Sequence, residues 1–362
     1  MKRLALILAL SALACGGGRK QAETPKLPPA SPQAVSKLAQ GVEAARDESG
    51  KKRALGLFQE AVGVDAELWE ARYNLGVLLA ERGDLAAAEK QLKSAHDLAP
   101  NAEDVAVALS EVRRRQGDHE GSIAVLRAFL KEHPEASTAN IALVTALREG
   151  GKVKEAIDQA HAVLIKHSSD PFALSELALA HLELGELDTA ELISNEALKA
   201  GDKSAPAYRA AALVALKRGD DAVAFRHFVR ASELDPEDTT ARFNMGVVLL
   251  RAGVYDKAAE EFRAVLAIEP ESTGAELGLA AARRAQGSRE NPAPYADAEK
   301  LLKGVLEREP KNPDAAFNLG VLYAEYLQKP AEAEPLLKRF LDAAPKQHPS
   351  RPEAERLLSG KK

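Results

Sequence analysis

The sequence predicts an all-α chain built as a solenoid of helix-turn-helix repeats, and three observations carry that prediction. Seven glycines, Gly83, Gly117, Gly151, Gly185, Gly219, Gly253 and Gly287, follow one another at a constant interval of 34 residues. Self-similarity at such a period marks a repeat architecture and overrides a domain count drawn from length. Each glycine separates two stretches that read as helix, the second opening near an alanine and often closing on a proline. Of 362 residues, 46% are apolar and only 4% aromatic, which fits a core of Leu, Val and Ala and excludes wholesale disorder.

The elements follow in chain order. Lys2 and Arg3 precede a run over residues 4–14, apolar but for Ser11, which at eleven residues is short of the ~20 needed to cross a bilayer as helix. It reads as a signal peptide over 1–14. Leu13-Ala14-Cys15 resembles the lipobox of bacterial lipoproteins, and the only cysteine of the chain stands where that motif requires it. The resemblance implies cleavage before Cys15 and its lipidation; Gly16, rather than Asp, follows it, which implies an outer-membrane anchor facing the periplasm. Residues 15–34 read as a tether, with Gly16, Gly17 and Gly18 for freedom and Pro25, Pro28, Pro29 and Pro32 against helix.

From Val35 onward the 34-residue cadence holds. The clearest copy runs WEARYNLGVLLAERGDLAAAEKQLKSAHDLAPN from Trp69. The turn glycine reverses the chain after the first helix by adopting a left-handed geometry. Ala88, Ala95, Ala190, Ala197, Ala224 and Ala231 stand where two helices cross closely, and Pro100, Pro134, Pro236 and Pro270 end the second helix. Leu75-Gly76, Leu79, Gly83-Asp84, Ala88, Leu92, Ala95 and Pro100 fill in order the signature places of a tetratricopeptide repeat (TPR). Met245-Gly246, Gly253, Tyr255, Ala258, Phe262 and Pro270 do so again, as do Leu319-Gly320, Tyr323, Ala333, Leu337 and Pro345. The chain therefore resembles the TPR family, which implies a right-handed superhelical solenoid. The register defines about nine copies: 35–68, 69–102, 103–136, 137–170, 171–204, 205–238, 239–272, 273–312 and 313–347. Their span of 313 residues exceeds nine periods by seven; six fall in the turn segment 288–294 and one near 327–329. A short helix over 352–359, in a tail of residues 348–362, is expected to cap the open end.

Chemistry is sparse. The net charge of −5 argues against nucleic-acid binding through bulk electrostatics, and a single cysteine excludes a disulfide framework and Cys-rich metal sites. The eight histidines share no metal-ligand spacing, and His133 and His167 follow the repeat register. Gly150-Gly151-Lys152 lacks the rest of a phosphate loop. No nucleophile elbow or dinucleotide fingerprint occurs, and paired carboxylates such as Glu260-Glu261 read as solvated helix faces. The expectation is a non-enzyme with no cofactor and no metal.

In each first helix one stripe turns to the second helix, and in the TPR family the other lines the concave groove. The resemblance thus implies a peptide- or protein-binding groove formed by Tyr73, Asn74, Val77, Ile141, Phe172, Leu179, Phe243, Asn244, Val247, Phe317, Asn318 and Val321, with the asparagine amides pairing the partner's backbone. Tyr73 and Val77 stand where chaperone-binding TPRs carry a Lys/Asn clamp, so that function is not expected. Arg114, Arg115, Arg148, Arg209, Arg251 and Arg284 sketch a basic track beside the groove. The expected role is a non-catalytic scaffold in an envelope machine of the pilus, secretion, outer-membrane assembly or gliding type, touching the membrane only through its lipid. The alternative is an accessory factor for polysaccharide export or cell-wall enzymes.

Overall fold

The computed structural model describes residues 29–359, so the expected signal peptide, Cys15 and most of the expected tether lie outside the described residues. Among the described residues every regular element is helical. The chain divides into two compact units, residues 1–202 and 203–362. The first carries five helical hairpins: α1 (Pro32–Ala44) with α2 (Lys51–Val64), α3 (Trp69–Glu81) with α4 (Leu85–Leu98), α5 (Glu103–Arg115) with α6 (His119–Glu132), α7 (Ser137–Glu149) with α8 (Val153–Lys166), and α9 (Pro171–Glu183) with α10 (Leu187–Ala200). The second carries four more: α11 (Ala205–Arg218) with α12 (Asp221–Leu234), α13 (Thr239–Arg251) with α14 (Tyr255–Ile268), α15 (Thr273–Gln286) with α16 (Ala293–Arg308), and α17 (Pro313–Val321) with α18 (Pro330–Ala343), followed by α19 (Arg351–Leu358). Within each unit a helix packs on its hairpin partner and on the next hairpin, the arrangement of a TPR solenoid. Helix α1 starts at Pro32, inside the expected tether, because proline at a first helical position has its φ preset and no N–H to lose.

The repeat grammar has a direct physical basis. Gly83 has φ +83°, the Gly83 N–H donates to the Ala80 carbonyl and the Asp84 N–H to that of Leu79, both at 3.0 Å, which closes α3 as a Schellman motif. Asp84 then caps α4, its carboxylate accepting from the Ala87 N–H at 3.2 Å. The same pair of devices recurs at Gly117-Asp118 and Gly219-Asp220. At Gly151, φ +75°, an added Cβ meets nothing within 4 Å, so the need for glycine is conformational alone. Gly151→Ala should lower the unfolding free energy by about 1–2 kcal/mol, read from urea denaturation, with helix content unchanged.

A second set of glycines serves packing. Gly76 receives Leu92, Gly246 and Gly278 receive the ring of Phe262, and Gly320 receives Leu337. The side chains received, Leu92, Phe262 and Leu337, are almost wholly buried, as are the six alanines expected at the crossings. Gly287 breaks the pattern: its backbone is extended (φ −72°, ψ 148°), and a Cβ there would stand 2.2 Å from the Tyr295 ring. The longer turn ends at 292 rather than 294, since α16 begins at Ala293, and, tied by the Ser288 N–H to the Asn291 carbonyl at 3.1 Å, it makes left-handed reversal unnecessary. The other extra residue is absorbed where α17 runs into a π-helical turn, Leu322–Tyr326, with Gln328 (φ 55°) in the left-handed place glycine holds elsewhere. Helix α19 packs on α18, and Arg351 donates to the Leu341 and Ala344 carbonyls at 2.7 and 3.0 Å, occupying the end of α18.

Candidate functional site

Within each unit the candidate surface is the row of its own first helices, where neighbouring repeats meet through side chains spaced about one period apart. In the first unit the Arg148 guanidinium at the end of α7 donates to Glu176 at 2.8 Å and Glu183 at 2.6 Å on α9. Arg114 on α5 pairs with Glu111 at 2.7 Å and with Glu149 on α7. Burial pulls both guanidiniums down, but the surrounding carboxylates outweigh it and hold both above the ordinary arginine value. Arg115 donates to the Ala80 carbonyl at 2.9 Å.

The expected groove residues divide by unit. In the first, Tyr73, Asn74 and Val77 are fully buried and Leu179 nearly so, while Ile141 and Phe172 remain half-buried. In the second, Phe243, Asn244, Val247, Phe317 and Asn318 are half-buried and Val321 is buried. The outward, ligand-facing reading of Tyr73, Asn74, Val77, Leu179 and Val321 is therefore corrected to core. The row of first helices packs closely enough at these places to exclude solvent, and Tyr73 shares its core cluster with Ala108 and Leu109 of α5. The asparagine amides are also engaged within their own helices: Asn74, Asn244 and Asn318 each donate from Nδ2 at 2.8 Å to the carbonyl four residues earlier. That intrahelical bond is the nearest acceptor a helical asparagine has.

The basic track is corrected as well, since its arginines are engaged. Besides Arg114, Arg115 and Arg148, Arg209 pairs with the buried Asp238 at 2.9 Å, Arg251 with Asp221 at 3.2 Å, and Arg284 reaches Asn318 and lies over the Tyr326 ring. Carboxylates on neighbouring helices neutralise Arg114, Arg148, Arg209 and Arg251, while Arg115 and Arg284 are held by a carbonyl and by an amide and a ring, and one-dimensional spacing does not show that. Four half-buried leucines were missed: Leu213 and Leu216 on α11, Leu250 on α13 and Leu277 on α15. They stand at the same offsets from the turn glycine as Phe243, Val247 and each other, so the register itself held the signal. With Phe243 and Phe317 they give the second unit an apolar, partly accessible stripe.

Among the described residues there is no group of three or more potential metal ligands, and no helix is long and apolar enough to cross a membrane. The second unit thus offers a partly accessible apolar face on its first helices, and in the first unit the seams between first helices carry arginine–carboxylate pairs. These features define a helical-hairpin repeat scaffold. A tetratricopeptide repeat family model matches residues 40–103, 107–171, 141–206 and 209–273, and a second tetratricopeptide model matches 295–359. The matches cover well over half of the chain, and it belongs to the tetratricopeptide repeat family, whose arrays are in general non-catalytic scaffolds for protein–protein interaction. The crystal structure of the APC/C hetero-tetramer Cut9-Hcn1 contains a chain that superposes with a TM-score of 0.64 at 16% identity, over 91% of this chain and 63% of that one. This chain therefore spans under two thirds of that relative's length, and the likeness is one of fold. A tetratricopeptide repeat protein from Parabacteroides merdae aligns over 80% of this chain and 97% of its own at 17% identity, with a TM-score of 0.41. No curated protein matches by sequence.

Proposed function

We propose that this chain is a lipid-anchored periplasmic scaffold of the outer membrane that docks a protein subunit of an envelope machine, of the pilus, secretion, outer-membrane assembly or gliding type. The observation that carries the proposal is the position of its one cysteine, Cys15, directly after the eleven-residue run 4–14, apolar but for Ser11, which ends in Leu13-Ala14. Acylation there gives a stable anchor, because each buried CH₂ contributes about 0.8 kcal/mol and more than one chain is attached. The glycine- and proline-containing tether then holds the array off the bilayer. Docking is supported by the apolar stripe of the second unit, where Phe243, Val247 and Phe317 remain partly accessible.

The test combines fractionation with crosslinking. A photo-crosslinking residue at Val247 in the full chain is expected to capture a protein partner in cells, with the product in outer-membrane fractions. Cys15→Ser is expected to move both the chain and its product to the soluble periplasm. A Cys15→Ser chain still sedimenting with the outer membrane overturns the anchor. Capture of peptidoglycan or polysaccharide in place of protein overturns the docking role in favour of a glycan-associated factor.

A further inference from the structure

The array departs from its 34-residue period at two places, and inside the second unit the two meet. The longer turn that follows Gly287 delivers Tyr295, 8% exposed, on the first turn of α16. The π-helical turn Leu322–Tyr326, closed by the Leu327 N–H on the Leu322 carbonyl at 3.0 Å, presents Tyr326. Such turns are rare and concentrate at functional sites. The two rings pack with centroids 5.4 Å apart, and Tyr326 stays 41% exposed. Over its ring lies the guanidinium of Arg284, 5.8 Å from the centroid, and Arg284 Nη1 donates to Asn318 Oδ1 at 3.4 Å. Both partners are neutral. Arg209 and Arg251, the other members of the expected basic track in this unit, are each held by a carboxylate. Arg251 stands in the last turn of its helix, as Arg284 does, so the attraction of a helix end for a cation does not account for the difference. Leu277 and Ala281, seven and three residues earlier on α15, share the face of Arg284 and are half-buried like it.

We propose that Arg284, seated on Tyr326 and Asn318, is the subsite for one aspartate or glutamate side chain, set among apolar residues, of the protein that docks on the first-helix face of the second unit. The inference rests on the docking reading above and adds the chemistry of one contact. A guanidinium carries five N–H donors and no acceptor. Asn318 takes one of them, and its own Nδ2 is tied to the Asp314 carbonyl at 2.8 Å, so the amide oxygen is the atom left to face Arg284. The remaining donors form a planar fork that a carboxylate meets with both oxygens. A cation is repelled there, and an apolar group would cover the guanidinium without matching its donors. A phosphate group carries close to two charges, which a single guanidinium does not balance. Arg283 beside it is held by Asp297 at 3.5 Å, and Arg356 by Glu325 at 2.6 Å and Glu353 at 2.7 Å. Leu277 and Ala281 supply the apolar surroundings on the same helix face.

The experiment titrates the full chain in detergent with a fluorescein-labelled, C-terminally amidated peptide of leucine, alanine and glutamate, and with the same peptide carrying glutamine for glutamate. The wild type is expected to bind the glutamate peptide saturably and the glutamine peptide about tenfold more weakly. Arg284→Gln is expected to weaken the glutamate peptide about tenfold and to abolish the difference between the two peptides. Tyr326→Leu, which removes the ring under the guanidinium, is expected to weaken it about threefold. Lys300→Gln, at an exposed cation on the second helix α16, is expected to change nothing, with circular dichroism verifying that all variants keep their helix content. Absence of saturable binding, equal affinity for the two peptides, or equal weakening by Lys300→Gln overturns the subsite. A glutamine peptide with a free C-terminal carboxylate that binds as tightly as the amidated glutamate peptide makes the ligand a chain terminus and overturns the side-chain assignment. Binding tightened more than threefold by phosphoserine in place of glutamate overturns the carboxylate assignment. Arg284-dependent peptide binding in a chain whose Val247 crosslinks to no protein keeps the subsite and removes the docking role; the reverse result does the opposite.

Discussion

Phe262→Ala is expected to lower the unfolding free energy of the second unit by about 3–5 kcal/mol, read as a shift of the urea midpoint followed by far-ultraviolet circular dichroism. The ring of Phe262 is 0% exposed and fills the gap between two first helices. A Cβ on Gly246 of α13 would come within 2.9 Å of it, and one on Gly278 of α15 within 2.5 Å. It also meets the Phe243 ring edge-on, centroids 5.7 Å apart, a contact worth about 0.5–1.5 kcal/mol beyond burial. Truncation therefore opens a cavity shared by two repeats, and in a solenoid a nearest-neighbour interface is the unit of cooperativity. Gly278→Ala in the wild type is expected to cost about 1–3 kcal/mol by overpacking, whereas in the Phe262→Ala background the same methyl has room. Additive losses in the double variant would show that the ring and the two glycines do not share one space.

The second large effect is expected at Arg148. Its side chain is 12% exposed and that of Glu176 is 9% exposed, so Arg148→Ala leaves a buried carboxylate without a counter-charge, at a cost of about 3–5 kcal/mol. Replacing both together, Arg148→Met with Glu176→Leu, is expected to return stability to within about 1 kcal/mol of wild type. Removing the pair removes the desolvation of two ions along with their attraction. A double variant as unstable as Arg148→Ala would mean that Glu183 and Glu149, not Glu176, hold the arginine in place. Thermal unfolding of the two variants beside wild type decides this.

Much of the fold was legible because the repeat imposes the same local problem many times. A left-handed reversal needs glycine, a close crossing needs alanine and a helix end tolerates proline, and each recurs with the period. The candidate site was legible only in part. Register told which face Tyr73 and Phe243 occupy, and both stand ten residues before their turn glycine, yet Tyr73 is fully buried and Phe243 half-exposed. The difference lies in what the next first helix carries. Helix α5 closes over Tyr73 in one cluster with Ala108 and Leu109, whereas α15 presents Gly274 and Gly278 beside Phe243 and Phe262.

The sequence by itself determined the repeat, its period, the reversal at each turn and the positions of close helix crossing, since these depend on backbone conformation and side-chain volume at single places. It also carried the lipobox-like Cys15, a linear signal. Only the tertiary structure decided which register-equivalent side chains are withdrawn from solvent, and that Arg114 and Arg148 are neutralised. It alone showed that Gly287 is required by the Tyr295 ring and not by a positive φ. Those outcomes belong to pairs of residues on different helices, and burial and charge pairing are properties of such pairs.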